Sequence, residues 1–253
     1  MPCSATRSIL SIRKSSRMSK TLPKMLLSST SKTDHAEQTD MTAAQLEGVI
    51  KFALDYQAGP PPDRRLLVAL NGWRTIFVRL GLVGQDSGRY AGLGFGNLSR
   101  RHPELAGNAF IISGTQTGGL NTLSPEHYVL VSDCNPRTNR VRATGPVRPS
   151  SEALSHGTLY QAVPDAHWVM HLHSPDIYAV RDRLRLPSTA PDAAYGTPDM
   201  AEEIARLAKT LDSSRPQLIV MGGHEDGVLV YGNQADQVGH LAVQTLVEAL
   251  AIK

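Results

Sequence analysis

Short apolar runs set between longer, helix-like segments constrain this chain more than any other feature. AFIISG (109–114), YVLVSD (128–133), HWVMHL (167–172), QLIVMGG (217–223) and GVLVYG (227–232) are bounded by turn residues and too short for core helices. Runs of that length read as buried strands. NRVRATG is expected to pair nearby after the turn CNPRT, which puts Cys134 in a turn. TAAQLEGVIKFALDY spaces Leu46, Val49, Ile50, Ala53 and Leu54 as on one helix face, predicting an amphipathic helix over 42–56. A second helix is expected from Asp63 as N-cap to near Gly81 or Gly84, and a third from a serine cap through SSEALSHGTLYQAV. Another begins at Pro175. TPDMAEEIARLAKTL has Thr197 to cap it, Pro198 at the first helical position and early acids, and a final helix runs from about Gln234 to Ile252. Strands alternating with helices predict one α/β domain with a mixed or antiparallel sheet between helices.

Charge divides the chain. Residues 1–33 hold Arg7, Arg13, Lys14, Arg17, Lys20, Lys24 and Lys32 and no acid; against a chain total of +3, those seven charges leave −4 on the rest. Order is expected to begin near Asp40, giving a basic N-terminal extension over 1–40 and one domain over 41–253. The extension has the composition of a mitochondrial transit peptide, so the body is expected in the cytoplasm, or in mitochondria if the extension is a targeting signal. A basic tail on a mildly acidic body is not the charged folded face that nucleic acid requires. No apolar run approaches the roughly 18–20 residues that span a bilayer, so no membrane partner is expected. Cys3 and Cys134 are the only cysteines, too few for a disulfide framework or a cysteine zinc site.

The chemistry concentrates in a few stretches. In VMHLHSP, His171 and His173 are two residues apart on an expected strand and point to one side, as a shared metal ion requires. The spacing permits coordination and does not by itself establish it. His224, between the last two apolar runs, is a candidate third ligand or simply a polar residue in a glycine-rich turn. Three neutral imidazoles suit zinc best among divalent ions. His102, His127 and His240 are expected to be solvated, and His167 structural. Glu152 follows RPSS at a helix start, where it reads either as an acid favoured by the helix dipole or as part of an anion site. GFGNLS and SGTQTGG supply the glycine, Asn and Thr of loops that wrap anions with backbone N–H groups.

Taken together and in order, GLGFGNLS, ISGTQTGGLNTLSPEHYVLVS, RPSSEALSHGTLYQAVPDAHWVMHLHSP and YGTPDMAEEI resemble the class II aldolase/adducin family over roughly residues 44–249. The resemblance implies a three-layer αβα domain, a homotetramer with active sites between subunits, and a small-molecule substrate. It implies metal ligation by His171, His173 and His224, a phosphate pocket at Gly96, Asn97, Thr117, Gly118, Ser150 and Ser151, and Glu152 as catalytic base. The implied reaction is an aldolase-type lyase step on a hydroxy-carbonyl or sugar phosphate through a metal-stabilised enediolate, with dehydratase, decarboxylase and epimerase variants. A non-catalytic, adducin-like interaction module is the rival reading.

Three departures from the family pattern stand out. Glu225 and Asp226 separate His224 from Gly227 where the family usually has His-Gly, so either carboxylate is open as an extra ligand or as a support for one. Gln116 replaces proline in the family's Thr-Pro-Thr-Gly. The segment after the HxH helix is short and lacks the family's tyrosine proton donor; Tyr195 lies in it, but not at an equivalent position.

Overall fold

The computed structural model describes residues 48–252, so the basic extension and the expected boundary near residue 40 lie outside the described residues. In chain order the elements are β1 (Ala53–Ala58), α1 (Val68–Arg79), β2 (Gly84–Gln85), β3 (Gly94–Phe95), β4 (Asn97–Arg101), β5 (Phe110–Ser113), β6 (Tyr128–Asn135) and β7 (Arg140–Gly145). They continue with α2 (Ala153–Ala162), β8 (Trp168–His173), α3 (Pro175–Val180), α4 (Pro198–Thr210), β9 (Gln217–Val220), β10 (Gly227–Gly232) and α5 (Ala235–Ala251).

Eight strands form one sheet in the order β1-β7-β6-β5-β4-β8-β10-β9, and β2 pairs with β3 apart from it. Among the described strands only the β1–β7 pair is parallel, so the sheet is mixed. Alternation along each strand divides the side chains between two layers. Phe110, Ile112, Val129, Val131, Val169 and Leu229 pack with Leu154 and Leu159 of α2 and Met200 and Ile204 of α4. Ile111, Met170, Leu172, Val228 and Val230 face the other way, onto Leu70 and Phe77 of α1 and Val238, Ala242 and Leu246 of α5. The architecture is the expected three-layer αβα. Among the described residues no helix is long and apolar enough to cross a membrane.

The helix expected over 42–56 is not present at residues 48–56; β1 occupies its end. The same segment also carries apolar residues at every second position, Ile50, Phe52, Leu54 and Tyr56. Phe52 is buried and the other three pack against the core, while β7 offers β1 a row of backbone partners. Sheet pairing therefore decides an ambiguous periodicity. Cys134 is likewise on β6 rather than in a turn, buried against α2. The helix starts agree better with expectation. Asp63 accepts from the Arg65 N–H at 2.8 Å and opens a 3₁₀ turn leading into α1, and Thr197 accepts from the Met200 N–H at 3.3 Å.

Candidate metal centre and anion cradle

β8 ends at His173, near the middle of the sheet, between β4 and β10. His171 and His173 project from the α2 side of that strand, opposite Met170 and Leu172, and both are fully buried. Their Nε2 atoms face each other at 3.0 Å. Tetrahedral ligation at about 2.0–2.1 Å separates two nitrogens by roughly 3.3 Å, so the pair is close to the spacing a shared ion imposes.

His224 reaches the same point from the turn between β9 and β10. The His224 N–H donates to the Met221 carbonyl at 3.0 Å, and the Gly227 N–H closes on the His224 carbonyl at 2.9 Å. Gly223 allows that turn to lie against residues 189–193, since a Cβ there would sit 2.0 Å from the Ala193 carbonyl oxygen. One nitrogen from each of the three histidines falls within 4.8 Å of the others. Burial above all, then the neighbouring imidazoles, holds the pKa of His171 and His173 well below the usual histidine value; the Arg89 charge adds a smaller push on His173. Both are therefore neutral at pH 7, the form that binds metal. The donor set fits a divalent ion.

Glu152 lies at the mouth of α2, fully buried, with its Oε1 3.8 Å from His224 Nδ1. The Ser155 hydroxyl donates to Oε2 at 2.6 Å and fixes the carboxylate's orientation. Glu152 is the N-cap by position, but its side chain makes no capping bond; the Ser150 hydroxyl accepts from the Glu152 N–H instead, at 3.3 Å. The carboxylate therefore spans from the first turn of α2, through Ser155, to His224.

The expected anion-binding residues come together beside this centre. Gly96, Asn97, Thr117, Gly118, Ser150 and Ser151 all line one cavity of about 10 Å³, joined by Gly48, Gly94, Gly114, Thr115 and Gln116. Asn97 pairs with His171 across β4 and β8, and its buried Oδ1 has no partner among the described residues. Gly118 has no room for a side chain, because a Cβ would lie 2.2 Å from the Gly84 carbonyl oxygen and 2.8 Å from the Phe95 nitrogen.

Arg74, His156 and Tyr90 escaped the sequence reading. Arg74 of α1 is buried and donates to the Thr117 and Gly118 carbonyls at 2.8 and 3.1 Å, pinning the loop. His156 is buried on α2, one turn after Glu152, with Nδ1 2.6 Å from the Ser99 hydroxyl, which also meets the Tyr160 hydroxyl at 2.7 Å. Tyr195 stacks on His224 at 4.6 Å between ring centres. Of the two inserted residues, Glu225 is exposed, whereas Asp226 Oδ2 accepts from the Tyr90 hydroxyl at 2.6 Å. Asp226 thus supports His173 through the Tyr90 ring, 4.7 Å away, and is not part of the histidine cluster. His167 is exposed, outside the site.

Residues 88–251 match the family model of the class II aldolase and adducin N-terminal domain. The chain belongs to the class II aldolase and adducin family. Its fold is shared by the L-fuculose-1-phosphate aldolase of Thermus thermophilus, 16% identical with a TM-score of 0.55 over 75% of this chain and 93% of that one. A sugar-phosphate aldolase from Thermotoga maritima aligns at 11% identity and TM-score 0.56, covering 75% of this chain and 95% of its own. YgbL from Escherichia coli, described as a putative aldolase/epimerase/decarboxylase, aligns at 20% identity and TM-score 0.53 over 72% and 85% of the two chains. No curated protein matches the sequence.

Proposed function

We propose that this class II aldolase family member is a metal-dependent carbon–carbon lyase acting on a small hydroxy-carbonyl or sugar-phosphate compound. The observation that carries the reading is the meeting of three buried imidazoles, two of them 3.0 Å apart, with a buried carboxylate 3.8 Å from the third. His171, His173 and His224 would hold the ion, and three nitrogen donors favour zinc. The ion, when bound, supplies Lewis-acid polarisation of a carbonyl oxygen and offsets the charge that develops there as the bond breaks.

The protein's own groups do the rest. Glu152, its orientation fixed by Ser155, is the base that moves a proton to or from the substrate. Tyr195 and Tyr90 pack on His224 and His173, restrict the imidazoles and exclude water around them. Asn97 Oδ1 and the glycine loops around it orient the substrate's polar end against the histidines. A homotetramer is the assembly this reading carries from the family resemblance, and the exposed Val68, Val247 and Leu250 are available to an interface.

Glu152→Gln tests the assignment because it removes the base while keeping the side chain's shape. Turnover of the compound that the wild type cleaves, found in a panel of small hydroxy-carbonyl compounds with and without a phosphate, should fall by about 10²–10⁴-fold with metal content unchanged. Turnover equal to wild type would remove Glu152 from the mechanism.

A further inference from the structure

Asp226 sits in the insertion that departs from the family pattern, and its placement organises a second charged group beside the histidines. Its backbone is left-handed, φ +60°, and its carbonyl accepts from the Ser174 N–H at 2.9 Å. Its carboxylate lies over the end of β8, bound to the Tyr90 hydroxyl. On the facing segment Tyr90 and Ala91 are also left-handed, with φ of 50° and 55°, a conformation that L side chains rarely adopt. Unusual backbone on both sides of one hydrogen bond marks a contact the rest of the fold holds in place.

The contact fixes Arg89. One Nη2 proton goes to the Tyr90 hydroxyl at 2.6 Å, and Asp226 Oδ2 lies 3.7 Å from the same nitrogen. The guanidinium carbon is 4.7 Å from the centre of the Phe95 ring and 4.9 Å from that of Tyr90. These are the two rings that pack on His173, at 5.6 and 4.7 Å. The guanidinium is therefore held one aromatic layer away from a metal ligand, with 26% of the side chain still exposed. Of its five N–H donors, Nε–H, both Nη1 protons and the second Nη2 proton hydrogen-bond to no described residue. A pair of parallel donors is left over, the geometry that matches a carboxylate.

The neighbouring cradle is poorly suited to a large anion as it stands. Its volume of about 10 Å³ is room for about one water. Gln116, in the place of the family's proline, reaches across it, accepting from the Gly94 N–H at 3.3 Å and approaching the Gly48 carbonyl at 3.5 Å.

We propose that Arg89 is a specificity-determining residue that reads a carboxylate, so that the substrate is a hydroxy- or oxo-carboxylic acid whose carbonyl end lies at the histidines. Asp226 and Tyr90 are positioning residues that aim the guanidinium. The inference rests on the metal-centre reading above.

Calorimetric titration of the zinc-loaded full chain with hydroxamates tests it, since the hydroxamate chelates the metal and the far group varies. The probes are acetohydroxamate, malonic and succinic monohydroxamates, and phosphoglycolohydroxamate. Wild type should bind one of the carboxylated probes at least about tenfold more tightly than acetohydroxamate. Arg89→Gln should erase that advantage while leaving acetohydroxamate affinity and zinc content unchanged, and Arg89→Lys should retain part of it. No advantage for either carboxylated probe, or an advantage that survives Arg89→Gln, overturns the proposal. So does tightest binding of the phosphorylated probe that is indifferent to Arg89. A chain that retains no zinc defeats the metal reading and this proposal together, whereas a zinc-loaded chain indifferent to the carboxylate defeats this proposal alone.

Discussion

Replacing Ser99 by alanine removes one hydroxyl that two buried groups share. Ser99 is fully buried on β4, between Ile112 of β5 and Val169 of β8, with its oxygen 2.6 Å from His156 Nδ1 and 2.7 Å from the Tyr160 hydroxyl. Burial pushes the His156 pKa down to about 3, so the ring is neutral and depends on that contact. Alanine leaves Nδ1 without a partner, which costs about 1–3 kcal/mol. Tyr160 also lies against the Val169 backbone, so its share is smaller. The total is about 2–4 kcal/mol, a fall in Tm of roughly 5–15 °C for a body of this size. Urea unfolding followed by circular dichroism, with chelator present so that metal binding adds nothing, measures it. Adding Tyr160→Phe to Ser99→Ala should cost less than about 1 kcal/mol more, because removing the stranded hydroxyl also removes its penalty. A Ser99→Ala loss below about 0.5 kcal/mol, within the range of surface substitutions, would refute the reasoning. The consequence reaches the site, since α2 carries His156 and begins beside Glu152.

Acid should unfold the metal-free protein through its buried histidines. Burial lowers the folded-state pKa of His156, His171 and His173. The unfolded chain therefore binds protons that the folded chain refuses, and stability present above about pH 6.5 is lost as pH falls towards the folded values. Each such histidine adds about 1.4 kcal/mol per pH unit to that slope below its unfolded pKa, so His156→Gln should reduce the slope of urea stability against pH by about that much, and an unchanged slope would contradict it. Gly118→Ala should destabilise by about 1–3 kcal/mol, because its Cβ would meet backbone atoms of residues 84, 94 and 95. Gly72→Ala is the contrasting case: nothing lies within 4 Å of its Cβ on α1, so it should raise stability by up to about 1 kcal/mol in the same denaturation assay.

The sequence reading succeeded where periodicity and local spacing carry the information. The strands of the sheet centre read out as apolar runs because both of their faces are covered, by α2 and α4 on one side and α1 and α5 on the other. His171 and His173 read as a pair because a strand repeats every two residues. β1 failed because its apolar residues satisfy both periods, and only the free edge of β7, far along the chain, decides between them. His156 was invisible for a similar reason: its partner Ser99 is 57 residues away, and a histidine inside a helix carries no local sign of it. The Tyr90–Asp226 contact spans 136 residues. Asp226 was legible as an insertion next to a histidine, but its link to His173 through Tyr90 depends on two left-handed backbone segments that sequence does not announce.

The central claim is that His171, His173 and His224 form one metal site, and elemental analysis tests it most directly. Protein purified without chelator and supplied with zinc should retain about one divalent ion per chain. The double variant His171→Ala/His173→Ala should retain essentially none while keeping the wild-type far-ultraviolet circular dichroism spectrum. Wild-type protein that holds no stoichiometric metal, or a double variant that holds as much as wild type, would contradict the account.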